Sequence, residues 1–265
     1  MLSSDDSLRK RAQILFQEHR DAIDFSPFAD GDAVATIDDA YAIQDFYVGQ
    51  LVESTGEPVC GYKIGLTSPR MQALLQIESP IAGAVLKHRI LQSGLEISRS
   101  DYGRLGCECE IAVRMGRDLT PSSAPYEFDT VAAAVEAVAP AFEVVDDRNA
   151  DFAITDIGSL VADNSWNAGV VLGPWSSQWP DLNSLEGVLR VNGSEIDRGR
   201  AEDVLGHPFN ALTWLANHLA GGERGLRRGD IVATGSMIPT RLVAEAESLA
   251  FEIDGLGRVA MDIIE

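Results

Sequence analysis

The sequence predicts an α+β protein in which a helical N-terminal part, residues 1–57, packs on a β-rich body, residues 58–265, as one structural unit. Three observations carry this prediction. Apolar residues recur at helical spacing up to Gly56. After Pro58 the texture changes to short apolar segments broken by Gly, Pro, Asn and Asp. Two later stretches, VLRVNGSEID and LAFEIDGLGRVAMDII, read as tight hairpins.

In chain order, Leu8, Ala12, Leu15, Phe16 and His19 mark a first helix behind a Ser/Asp cluster able to cap it. A second helix starts at Thr36, with Asp39 three residues on as in a capping box, and stops at Gly56. Its apolar face is expected from Ile37, Tyr41, Tyr47, Val48 and Leu51. Two further helices are expected around DTVAAAVEAV and HPFNALTWLANHLA, interrupting the strands. No internal repeat, low-complexity tract or Pro/Ser-rich linker divides the chain.

At 265 residues the chain can bury a sizeable core, and 45% of it is hydrophobic. Forty-one acidic residues against 21 basic ones give a net charge of −20, which repels phosphate backbones and anionic lipid. Nucleic-acid and membrane partners are therefore not expected, and an anionic substrate would need a local cation to draw it in. Cys60, Cys107 and Cys109 form neither a disulfide framework nor a zinc ribbon. With no signal peptide or spanning segment, a reducing cytoplasm is the expected compartment.

The chemistry-bearing stretch is RLGCECEIAVRMG, residues 104–116. In an extended strand Glu108, Glu110, Ala112 and Arg114 share one face, while Cys107, Cys109, Ile111, Val113 and Met115 share the other. The two carboxylates then stand about 7 Å apart by strand geometry and repel unless solvent screens them or a cation sits between them. An isolated E-x-E is ordinarily a wet face. A second acid, Glu143, lies inside the apolar run PAFEVV, where a carboxyl is usually paired, protonated or bound to metal. Three carboxylates without nitrogen or sulfur ligands suit a hard cation, Mg²⁺ or Mn²⁺.

Lys63, bracketed by Gly61 and Gly65, reads either as a solvated edge lysine or as a group that protonates carbon or stabilises developing oxyanion charge. Leu66 and Thr67 beside it, with Asp163, Asn164, Ser165, Thr234, Gly235 and Ser236, are candidates to line the pocket, and turn or cap duty is the alternative for each.

Six ordered motifs, GYKIGLTSPRMQ, CECEIAVRMGRDL, PAFEVVDDR, VADNSWNAGVVLG, HPFNALTWLANHLA and LRRGDIVATGSM, resemble the 2-keto-4-pentenoate hydratase group of the fumarylacetoacetate hydrolase superfamily, which includes the 2-oxohex-3-enedioate decarboxylases. The resemblance runs from about residue 40 to the end. It implies a mixed β-roll body with a helical N-terminal part, and a divalent cation held by Glu108, Glu110 and Glu143 with Lys63 as the active-site lysine. It also implies a small 2-oxo or 2-hydroxydienoate acid from aromatic-compound catabolism, chelated through its carboxylate and C2 oxygen. The metal stabilises the dienolate, and water adds at C4. Asp163 and Ser165 are expected to orient substrate, and the chain is expected to form homo-oligomers, with a possible complex with a paralogous decarboxylase or hydratase.

One departure matters. Ile81 follows Pro80 where hydratases of this group often carry an acid; Glu78 lies nearby as a candidate substitute. The alternatives are therefore a decarboxylase of 2-oxohex-3-enedioate, a carbon–carbon hydrolase of a related 2-oxo acid, and a non-catalytic complex subunit. The hydrolase reading lacks an evident counterpart, among His19, His88, His207 and His218, of that class's His/Glu water-activating pair. Arg70, Arg104 and Arg148 are candidates for binding a distal carboxylate.

Overall fold

In the computed structural model, which describes residues 4–29, 33–68, 72 and 77–265, the chain opens with α1 (Ser4–Arg20) and α2 (Ile37–Thr55). Asp5 and Asp6 in the first turn of α1 and His19 and Arg20 in its last complement the helix dipole. Leu8, Ala12 and Leu15 bury against Ile43 and Tyr47 of α2. The Thr36 side chain caps α2 by accepting from the Asp39 backbone N–H at 3.1 Å and donating to its carboxylate. Gly56, at φ 71°, ends the helix in the left-handed conformation glycine tolerates. Ile37 departs from the expected apolar face: it is 39% exposed, whereas Ala40, Ile43, Gln44, Tyr47 and Val48 are buried and Tyr41 and Leu51 are partly buried against α1 and the sheet.

Among the described residues the chain then forms β1 (Val59–Gly65), β2 (Ile81–Leu86), β3 (Ile90–Gln92), β4 (Leu95–Ser98), β5 (Leu105–Met115) and β6 (Val135–Asp146). These are followed by β7 (Asn167–Leu172), β8 (Glu186–Val191), β9 (Ser194–Arg200), β10 (Ile231–Leu242), β11 (Glu247–Ile253) and β12 (Gly257–Ile264). A seven-stranded sheet runs β2-β1-β10-β5-β6-β7-β3, mixed because β1 pairs parallel with β10 and β3 with β7. A five-stranded sheet runs β4-β12-β11-β8-β9. Both expected hairpins are present: β8 turns into β9 through Asn192 and Gly193, at φ 50° and 82°, and β11 pairs antiparallel with β12.

The core lies between the sheets. Cys107, Cys109, Ile111, Phe142 and Val144 of the larger sheet meet Leu189, Phe251, Val259 and Met261 of the smaller, with the Phe142 and Phe251 rings 6.3 Å apart. Leu212, Leu215 and Leu219 of a late helix, Pro208–Gly221, join the same cluster, as the HPFNALTWLANHLA periodicity predicts. The helix expected at DTVAAAVEAV is only Phe128–Ala132, here α3. From Val135 the segment becomes β6, because pairing Val138 with Val113 and Ala137 with Arg114 buries the valines in the sheet and overrides helix propensity. A short helix that the reading missed, α4 (Ile157–Ala162), is capped by the Asp156 carboxylate on Ser159 N–H at 2.9 Å. The Pro208–Gly221 helix is α5.

Strand β2 is a sheet edge whose outward backbone groups are met by side chains instead of another strand. The Tyr41 hydroxyl accepts from Ala82 N–H at 3.1 Å, and Gln44 Nε2 donates to the carbonyls of Ala82 (2.9 Å) and Val161 (2.7 Å). The Asn164 amide pairs with both Ala84 groups, accepting from N–H at 2.7 Å and donating to the carbonyl at 2.9 Å. Helix α2 and the turn after α4 thereby close the edge and place that turn over β2. No helix among the described residues is long and apolar enough to cross a membrane.

Candidate active site

The alternation in CECEIAV comes out as expected. Cys107 and Cys109 enter the core, where burial pushes both thiols far up, and Glu108 and Glu110 take the opposite face. Antiparallel pairing of β5 with β6 sets Glu143 directly opposite Glu108, and the three carboxylates bring oxygens within 4.8 Å of one another. Glu110 and Glu143 are completely buried.

Each carboxylate is steered by one or more neighbours. Gly235 N–H donates to Glu110 Oε2 at 2.8 Å, from a bulge between Ala233 and Ser236 where Gly235 has φ 118°. Asn167 Nδ2 donates to Glu143 Oε1 at 3.0 Å, and the Thr240 hydroxyl donates to Glu108 Oε1. The other oxygens of the buried pair, Glu110 Oε1 and Glu143 Oε2, are sealed from solvent without a hydrogen-bond partner among the described residues. Such orphan acceptors are costly in a protein interior, and two of them in an all-oxygen cluster fit a hard divalent cation. Burial first, then the neighbouring charges of Glu143 and Glu108, holds the Glu110 carboxyl well above the ordinary carboxylate range. Burial likewise raises Glu143 to about 7, with Lys63 opposing the rise.

Lys63 is no edge lysine. Strand β1 lies between β2 and β10, and Lys63 is 4% exposed with Nζ 3.2 Å from Glu143 Oε1. Burial disfavours its ammonium, but Glu143, Glu108 and Glu110 outweigh that and hold its pKa above the usual lysine value. Gly83, paired with Lys63 across the strands, makes room here: a Cβ on it would lie 2.6 Å from the Asn164 carbonyl oxygen and 3.2 Å from Lys63 Cγ. On the other side, a Cβ on Gly65 would lie 3.2 Å from Lys63 Nζ and 3.3 Å from Ile81 Cγ1. The ammonium and the buried isoleucine therefore flank the same gap.

The turn above β2 carries Asn164, Ser165 and Trp166 at φ 50°, 51° and 59°, three consecutive left-handed residues without a glycine. Each costs about 1 kcal/mol or more, so the turn is held by its surroundings and not by its own preference. Ser165 Oγ donates to the Ala82 carbonyl at 3.2 Å.

Of the residues singled out by sequence, Lys63, Glu108, Glu110, Glu143 and Gly235 converge directly. Thr67 packs on Gly235, a Cβ on which would sit 2.4 Å from Thr67 Oγ1. Leu66, at φ 55°, packs with Ile81 and Trp166. The Ser236 hydroxyl accepts from Cys109 N–H at 3.1 Å and stitches the bulge, and Thr234 Oγ1 donates to the Ile111 carbonyl at 2.8 Å. The Asn164 amide is spent on Ala84, and both its side-chain oxygen and its backbone carbonyl lie against Gly83. Asp163 is buried in an ion-pair network, accepting from Arg148 Nη2 at 2.7 Å and paired with His19 Nε2. Glu78 is exposed at the bend before Pro80 and lies outside the carboxylate cluster.

Two of the arginines proposed for a distal carboxylate are already engaged. Arg148 holds Asp163, Glu18 and the Ile23 carbonyl; Arg104 grips both Asp147 oxygens and the Ala150 carbonyl. Arg70 lies outside the described residues. Sequence reasoning missed Asn167, Thr240 and Gly83, whose roles depend on partners distant in the chain, Glu143, Glu108 and Lys63, and leave no local signature.

Residues 75–264 match the family model described as fumarylacetoacetate (FAA) hydrolase C-terminal. The chain is 35% identical to a 2-keto-4-pentenoate hydratase of Burkholderia vietnamiensis over 270 residues, covering 100% of both chains. It is 30% identical to a 2-hydroxyhexa-2,4-dienoate hydratase of Comamonas testosteroni, again covering 100% of each. Among solved structures it resembles the 4-oxalocrotonate decarboxylase of Pseudomonas putida G7 complexed with magnesium and adipate, with TM-score 0.91, 28% identity and coverage of 100% of this chain and 99% of that one. The chain belongs to the fumarylacetoacetate hydrolase family. Within it, the full-length relatives named here are lyases, two hydratases and a decarboxylase.

Proposed function

We propose that this protein is a divalent-metal-dependent hydratase that converts a short 2-hydroxy-2,4-dienoate to a 4-hydroxy-2-oxo acid. The observation that carries the reading is the pair of sealed, partnerless oxygens Glu110 Oε1 and Glu143 Oε2, set with Glu108 beside a buried lysine. Full-length identity to named hydratases supports the substrate class.

Glu108, Glu110 and Glu143 would hold Mg²⁺ or Mn²⁺, which would supply a Lewis acid to stabilise enolate charge on the bound acid. The chain's own groups do the rest. Gly235 N–H, Asn167 and Thr240 aim the three carboxylates inward. Lys63 keeps a proton at Nζ next to the cluster, donates it to C5 of the dienoate and is reprotonated by the proton that the C2 hydroxyl releases on becoming the oxo group. Water then adds across C3–C4, its hydroxyl to C4 and its proton to C3. Gly65 keeps a side chain away from the Lys63 ammonium, and Gly83 lets the Asn164 carbonyl approach beside the Lys63 stem. Glu110 and Glu143 are sealed from bulk water, which strengthens their electrostatic contacts, while Glu108 is partly open to solvent.

The test is turnover of freshly generated 2-hydroxypenta-2,4-dienoate after dialysis against chelator. Activity should vanish and return with Mg²⁺ or Mn²⁺; activity indifferent to metal overturns the reading.

Ile81 favours a second reading, decarboxylation of 2-oxohex-3-enedioate. Its side chain lies beside Lys63 at Gly65 and has no group that can give or take a proton, while decarboxylation needs an electron sink and a proton donor but no activated water. Assaying CO₂ release and hydration side by side separates the two. With Ile81→Asp, a carboxyl takes that place, and the ratio of hydration to CO₂ release should rise about tenfold or more, the usual effect of one acid–base group being larger still. An unchanged ratio removes Ile81 from the choice of reaction. We also propose that the active form is a homo-oligomer, which light scattering of the purified protein tests.

A further inference from the structure

Asp163 is where helix α1 meets the left-handed turn of the site. Its carboxylate is completely buried and takes Arg148 on one oxygen and His19 Nε2 on the other. His19 ends α1, stacks on Tyr47 of α2 at 5.2 Å and is 28% exposed at its side chain. Residues after α1 wrap the same arginine: Arg148 donates to the Ile23 carbonyl at 2.8 Å, and its own carbonyl accepts from Phe25 N–H at 2.7 Å. Immediately beyond Asp163 come Asn164, Ser165 and Trp166, all left-handed, whose side chains and backbone crowd β2 beside Gly83 and Lys63. A strained turn keeps its shape only where neighbours overdetermine it, and Asp163 is its anchor on the N-terminal side.

We infer that His19 is a positioning residue for the reaction: through Asp163 it holds the 163–166 turn against β2, so that the N-terminal helix sets substrate binding without touching the metal carboxylates. This rests on the lyase reading of the site. The four histidines divide accordingly, since His207 caps α5, His218 stacks on Trp214, and His88 is exposed. His19 alone of them joins a residue of the site turn.

The test uses the 265-residue protein and three variants. His19→Leu and His19→Phe remove the donor, the second keeping a ring to stack on Tyr47, and His19→Gln keeps an N–H near the same place. Three quantities are read: Mg²⁺ affinity without substrate, KM and kcat for 2-hydroxypenta-2,4-dienoate, and amide hydrogen exchange by segment. Loss of a charge-assisted hydrogen bond should raise KM and speed exchange of residues 163–167 by about tenfold in His19→Leu and His19→Phe. Mg²⁺ affinity and exchange in β5 should stay at wild-type values, and His19→Gln should recover most of the KM. Wild-type exchange at 163–167 in either donor-less variant that folds overturns the inference. So does a general rise in exchange with loss of Mg²⁺ affinity, which marks a merely structural role. If the wild type itself turns over neither dienoate nor 2-oxohex-3-enedioate, the lyase reading fails, while the exchange data still decide what His19 holds.

Discussion

Glu110 shows how much of this site is stored as electrostatic tension. One of its oxygens is satisfied by Gly235 N–H, the other by nothing among the described residues, and two further carboxylates crowd it. Binding of Mg²⁺ should therefore stabilise the fold by mass action, about 2.7 kcal/mol at a hundredfold excess over Kd, or a rise in Tm of roughly 5–10 °C. Glu110→Gln should abolish that rise in a thermal scan with and without Mg²⁺; a rise of wild-type size would remove Glu110 from the ligand set. His218 supplies a pH dependence away from the site. Burial, then Arg224, lowers its pKa to about 4 from the ordinary 6.5. The unfolded chain thus takes up the proton first, so stability is full above pH 6.5 and declines as pH falls toward 4. His218→Gln should flatten the Tm profile across that window and leave it unchanged above pH 7.

At the scale of elements, the edge of β2 is the most revealing piece of construction. An asparagine amide stands in for a neighbouring strand, and the same residue opens the turn over the lysine. Asn164→Ala leaves the Ala84 N–H and carbonyl without partners on that side, which should cost about 2–4 kcal/mol in urea unfolding. A loss below 0.5 kcal/mol, about the size of an ordinary surface change, would mean the edge is satisfied otherwise. The bulge in β10 works similarly. Gly235→Ala forces a side chain into a left-handed position against Thr67 and should pull the N–H off Glu110, weakening Mg²⁺ binding with it. Elements were unevenly legible. The capped α2 and the Asn-Gly hairpin announce themselves through local chemistry. The segment at Val135 did not, because its alanines and valines satisfy helical spacing until a partner strand claims them.

For the whole molecule, the net charge of −20 implies self-repulsion that salt screens. Tm should rise between 10 mM and 200 mM NaCl, and Mg²⁺ should add a saturable increment beyond equal ionic strength of Na⁺. Absence of that increment would argue against a specific cation site. On the proposed reading, the same acidity would give the buried Lys63 and a cation at the carboxylate cluster their value, as the positive groups an anionic substrate would meet there.

What the sequence by itself determined is whatever rests on neighbours in the chain: the N-terminal helices with their caps, the strand alternation that sends Cys107 and Cys109 inward and Glu108 and Glu110 the other way, and the hairpins. Motif order added the family. What only the tertiary structure decided are relations between distant residues: Glu143 opposite Glu108, Lys63 in an interior strand, Arg104 and Arg148 already paired, and His19 joined to Asp163 across 144 positions. The physical reason is that pattern along a chain reports which face a side chain takes, whereas a charge's partner is set by strand register and packing between elements.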